Sequence, residues 1–121
     1  MREASRERED EEMYPEEIGL VDKIGKTATI ELLAEEATEL SFACQKYARM
    51  LRGENPAFGY SEEELVAKIH EEIADVMICL SALCEVGMLD VDALERNTER
   101  KVKRIEERFA GKKEAARDDE S

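Results

Sequence analysis

Two stretches of the chain carry apolar or small side chains at alternating steps of three and four, the spacing that lines one face of a core-facing helix. In the first these are Ile30, Leu33, Ala37, Leu40, Cys44, Tyr47 and Leu51; in the second, Val66, Ile69, Ile73, Val76, Leu80, Leu83 and Gly87. The pattern predicts one long helix running to about Arg52, with Thr27 or Thr29 as its cap. It predicts a second from Ser61 to about Glu85, opened by a capping box of Ser61 with Glu64 and stopped near Gly87. Asp92 and Glu95 form another capping box and start a third helix that ends near Phe109, with Leu94, Val102, Ile105 and Phe109 on its packing face. Ahead of all three, Tyr14-Pro15 followed by Ile18, Leu20, Val21 and Ile24, with Gly25 behind them, predicts a short amphipathic helix. The expected fold is all-α, a bundle of three long helices plus a short N-terminal one. Homo-oligomerisation to a dimer or tetramer completes it, because three substantial helices leave seam positions that one chain does not cover.

The remaining segments read as connections and ends. Residues 1–13 are charged with almost no apolar content, and are expected to be a disordered acidic arm before a domain at 14–110. Residues 111–121 read as a polar tail. The stretch 52–61 holds two glycines and a proline and must be a loop, and it places Phe58 and Tyr60 outside either helical seam. Those two aromatics are either ordinary loop packing or a lid able to stack on a base.

Composition narrows the partners. With 121 residues, 42% hydrophobic and only 5% aromatic, the chain has room for one modest core built mainly from aliphatic side chains. A formal net charge of -13 argues against a nucleic-acid polymer or an anionic membrane surface, both of which are bound through Lys and Arg. No apolar run is long enough to span a membrane, and the acidic N-terminus is unlike a signal peptide. The three cysteines, Cys44, Cys79 and Cys84, lie within helical patterns without zinc spacing and read as buried free thiols of a cytoplasmic protein. His70, the only histidine, has Ala67 three positions before it and so lacks the Glu-x-x-His spacing of a di-iron bundle.

The candidate chemistry lies in two acidic clusters written in the same phase, Glu35-Glu36-Ala37-Thr38-Glu39-Leu40 and Glu71-Glu72-Ile73-Ala74-Asp75-Val76. With Ala37 and Ile73 both at heptad position a, Glu36 and Glu72 fall at g, and Glu39 and Asp75 at c. Residues three apart lie on one helix face about 5–6 Å from each other, so two packed helices could gather four carboxylates beside the core. A solvated charged face is the bland alternative. Such a face normally pairs opposite charges four residues apart, yet Glu35 with Glu39 and Glu71 with Asp75 are both like-charged, and only Lys68 with Glu72 compensates. Converging carboxylates repel unless a cation sits between them, and hard oxygen ligands favour magnesium or manganese.

The runs ELLAEEATEL and HEEIADVMICL resemble the paired EExxE and ExxD motifs of the MazG-like all-α nucleoside triphosphate pyrophosphohydrolases, over roughly residues 28–109. The resemblance implies magnesium ligation by Glu36, Glu39, Glu72 and Asp75, with Glu35 supporting the metal or its activated water as a catalytic residue. It also implies phosphate binding by Lys101 and Arg104 on the third helix, whose other cations are Arg96, Arg100, Lys103 and Arg108. The expected activity is hydrolysis of a nucleoside triphosphate to the monophosphate and pyrophosphate. The 32 residues between Glu39 and Glu72 exceed the usual gap of that family, which bears on the substrate rather than on the metal. A non-enzymatic acidic helical module, binding a partner through its heptad seams, is the competing reading.

Overall fold

The computed structural model describes residues 18–54 and 59–120, with side chains described as far as residue 112. The acidic arm at 1–13, the Tyr14-Pro15 start and Phe58 lie outside the described residues. Four helices follow in order: α1 (Leu20–Ile24), α2 (Lys26–Leu51), α3 (Glu62–Glu85) and α4 (Val91–Glu120). Helices α1 to α3 belong to one compact unit that extends to Met88, and α4 belongs to a second that begins at Leu89.

The helix boundaries follow from local chemistry. Gly25, at φ 90°, both ends α1 by donating its N–H to the Val21 carbonyl and precedes the first residue of α2, a backbone turn that a side chain would strain. Neither Thr27 nor Thr29 caps α2, contrary to expectation. The Thr29 hydroxyl instead donates back to the Gly25 carbonyl at 2.8 Å, which satisfies it inside the core. Helices α2 and α3 end alike. Glu54 N–H reaches Arg49 O and Gly53 N–H reaches Met50 O; Met88 N–H reaches Leu83 O and Gly87 N–H reaches Cys84 O. This is the Schellman pattern, and it needs the positive φ that Gly53 and Gly87 supply. Ser61 caps α3 as expected, its hydroxyl oxygen accepting from Glu64 N–H at 3.1 Å.

Helix α4 departs from the sequence reading at both ends. Asp90, not Asp92, supplies the capping carboxylate, accepting from Asp92 N–H at 3.0 Å. Asp92 lies in the first turn, where its charge favours the positive end of the helix dipole. The helix then continues past Phe109 and through the stretch read as a tail, to Glu120. Lys, Glu, Ala and Arg there are strong helix formers, and one interior glycine, Gly111, costs only about 1 kcal/mol.

Helices α2 and α3 pack as an antiparallel hairpin. Near the loop the Tyr47 hydroxyl donates to Glu62 at 2.6 Å, and eleven residues back along α2 and ten residues forward along α3, Glu36 meets Glu72. Helix α1 packs on both. The core of this unit is Val21, Ala43, Leu65, Cys79, Ala82 and Leu83 with the buried Thr29.

The buried seam is rotated from the one expected. On α2 the inward positions are Thr29, Leu33, Glu36, Leu40, Ala43 and Tyr47; on α3 they are Leu65, Ile69, Glu72, Val76, Cys79 and Leu83. Ile30, Ala37, Cys44 and Leu51, and Ile73 on the facing helix, are exposed instead. Small residues such as Ala43, Cys79 and Ala82 permit the close approach, while the apolar stripe as a whole is wider than one neighbouring helix can cover. The acidic residues Glu36 and Glu72 therefore sit in the seam and not beside it.

Candidate metal centre

Seam positions near the middle of two long helices hold Glu36 and Glu72 rigidly, since both backbones are fixed by helical hydrogen bonds on either side. Because the hairpin is antiparallel and both motifs repeat the three-residue step, Glu39 flanks the central pair on the loop side and Asp75 on the other. Glu36, Glu39 and Glu72 each offer one carboxylate oxygen, and these atoms all lie within 4.8 Å of one another. Asp75 is half-buried, and its charge acts on the Glu36 carboxyl.

The electrostatics of the cluster are unbalanced. Glu72 is only 3% exposed. Its Oε1 accepts from Lys68 Nζ at 3.0 Å, and the same ammonium lies 3.4 Å from Glu71 Oε2. The remaining oxygens, Glu36 Oε2 and Glu72 Oε2, are buried without any hydrogen-bond partner. Desolvation pushes the Glu36 carboxyl above its ordinary range, helped by the charges of Glu39, Asp75 and Glu72. Burial likewise raises the Cys79 thiol, with the charges of Glu36 and Asp75 adding to the effect. The Lys68 ammonium is held in its charged form, first by the hydrogen bond to Glu72 and then by the charge of Glu71.

Unpaired buried carboxylate oxygens are costly, and a divalent cation satisfies them better than one ammonium on a flexible stem. The donor set is all oxygen and anionic, which fits magnesium or manganese. Glu36, Glu39 and Glu72 thus come together as one group, and Asp75 is not among the oxygens gathered there. Glu35 is exposed on α2 and lines an open depression of about 380 Å³ with Ala34, Thr38 and Glu39. Lys101 and Arg104 stand three residues apart on α4, in the second unit, and both side chains are exposed.

Cys44, Cys79 and Cys84 are free thiols, but only Cys79 is buried as expected; Cys84 is half-buried, and Cys44 is exposed because the α2 seam turns away from it. His70 is exposed. Among the described residues no helix is long and apolar enough to cross a membrane. No protein-family model matches the chain, and it matches neither a curated protein nor a solved structure.

Proposed function

We propose that the chain is a metal-dependent nucleoside triphosphate pyrophosphohydrolase, releasing the monophosphate and pyrophosphate. The observation that carries this reading is the pair of unpartnered, buried carboxylate oxygens of Glu36 and Glu72 facing each other across the hairpin seam, flanked by Glu39 and Asp75. The likeness of the two acidic motifs to those of the MazG-like enzymes supports it. Glu36, Glu39, Glu72 and Asp75 hold magnesium or manganese. When bound, such an ion neutralises phosphate charge and lowers the pKa of a water.

The chain supplies the rest. Glu35, on the open depression it shares with Glu39, accepts the proton of the attacking water as general base. The likeness to the MazG-like enzymes assigns outer phosphates to Lys101 and Arg104, since charge-assisted hydrogen bonds strengthen as negative charge builds on a leaving group. The exposed apolar residues Ile30, Leu51 and Ile73 on α2 and α3 are covered by a second copy in a homo-oligomer. The same exposed residues also favour the rival reading, a helical module that binds a different protein and needs no metal.

The deciding experiment incubates the protein with a panel of nucleoside triphosphates and magnesium and measures pyrophosphate against orthophosphate. Pyrophosphate is expected from the wild type, and none from Glu39→Gln or Asp75→Asn, whose calorimetric magnesium binding is also expected to vanish. Unchanged magnesium affinity in both variants would remove the site.

A further inference from the structure

Lys68 faces two ways. Its ammonium reaches Glu72 and Glu71, yet its side chain is 56% exposed and also lines a second cavity, of about 210 Å³, on the loop side of the carboxylates. The other walls are Lys46 from α2, Tyr60 from the end of the loop, and Glu64 and Leu65 from the first turn of α3. Glu64 is committed to the cap of α3: its backbone N–H donates to the Ser61 hydroxyl, and its carboxylate accepts from the same hydroxyl at 3.3 Å. Its charge stays on the wall, where the two ammonium groups of Lys46 and Lys68 outnumber it, in a cavity beside the acidic cluster of a chain with net charge -13.

The two positions of Lys68 exclude each other when a divalent cation is present. An ion held by Glu36, Glu39 and Glu72 repels an ammonium 3.0 Å from one of its own ligand groups, and the exposed stem is free to swing away. The cavity that Lys46 lines is space that the Lys68 side chain already borders. Before the ion arrives, Lys68 satisfies half of the buried Glu72 carboxylate; afterwards that duty passes to the ion.

We infer that Lys46 and Lys68 form a polyphosphate-binding subsite on the loop side of the carboxylate cluster, which gains its second free ammonium only when a divalent ion displaces Lys68 from Glu72. The inference rests on the metal reading above and deepens it, because it makes binding ordered, metal first and phosphate chain second. A phosphate chain fits chemically: its oxygens bridge from the ion to the two ammonium groups, and Lys is an effective point-charge partner for phosphate.

The test uses the full chain and two probes, Mn²⁺ alone and inorganic triphosphate in the presence of excess Mn²⁺. Lys46→Met and Lys68→Met both replace exposed ammonium groups with stems of similar length, and circular dichroism confirms that each folds. Lys68→Met is expected to bind Mn²⁺ about tenfold more tightly than wild type, since a competing cation has been removed, while Lys46→Met leaves Mn²⁺ affinity unchanged. Both variants are expected to bind triphosphate about tenfold more weakly. Without Mn²⁺, wild type is expected to bind triphosphate no better than Lys46→Met. A wild type that binds no Mn²⁺ overturns the metal reading itself. Mn²⁺ binding of equal strength in wild type and Lys68→Met, or triphosphate binding unaffected by both substitutions, overturns the subsite and leaves the metal site standing.

Discussion

Replacing Glu72 with Gln keeps the shape of the side chain and removes its charge, so it separates the cost of the carboxylate from its use. In the metal-free protein Glu72 is buried with one oxygen unpaired, and the desolvation penalty of such a group is about 1–3 kcal/mol. The substitution also gives up the ion pair with Lys68, but that partner is more than half exposed, and pairs of this kind contribute about 0–1 kcal/mol. The new amide can in addition donate to the unpartnered Glu36 Oε2 across the seam. The balance is a gain of about 1–2 kcal/mol for the variant, or about 4–8 °C in Tm for a domain of this size. With a divalent cation at about a hundred times its dissociation constant the wild type gains about 2.7 kcal/mol, and a variant lacking the ligand gains nothing. The order of the two melting temperatures therefore reverses between chelator and metal. Thermal unfolding followed by circular dichroism in EDTA and in excess Mn²⁺ reads both halves. The reasoning fails if Glu72→Gln melts below wild type in EDTA, which would make the carboxylate a structural partner of Lys68. It fails equally if Mn²⁺ raises both proteins by the same amount.

Three further outcomes are expected. Glu36 has a raised pKa in the folded chain, so above 4.5 the native state binds more protons than the unfolded one, and apo stability falls as pH rises through the window up to that raised value. Denaturant titrations across this range should show that slope shrinking in Glu36→Gln, and an identical slope in both proteins would contradict it. Leu83→Ala empties a side chain that is fully buried between the helices and should cost about 2–5 kcal/mol, whereas a loss near zero would mean that the packing of α2 on α3 is misread. Lys101→Ala and Arg104→Ala should lower kcat/KM about a hundredfold with magnesium affinity unchanged, and a fall of less than about threefold in both would take α4 out of the reaction.

The sequence alone was enough to determine helix type and number, because periodicity and punctuation are local. The three-four spacing, the Ser61 cap and the glycines at 25, 53 and 87 each act within a few residues, and the helices begin and end close to where those signals stand. The same in-phase duplication put Glu36, Glu39, Glu72 and Asp75 at equivalent places before any packing was known. Which side of each helix faces its neighbour was decided only in three dimensions. A stripe read from hydrophobicity alone ran through Ala37 and Ile73, but the antiparallel register turned both helices so that Glu36 and Glu72 came inside and Ile73 stayed 39% exposed. Apolar side chains on neighbouring stripes compete for one contact, and the choice depends on how closely small residues such as Ala43, Cys79 and Ala82 let the backbones approach. That rotation turns a charged helix surface into a buried Glu72 and a half-buried Glu36, each with an unpartnered buried oxygen, and it also places Lys68 between Glu72 and the cavity lined by Lys46, a juxtaposition of residues far apart in sequence that no local pattern encodes.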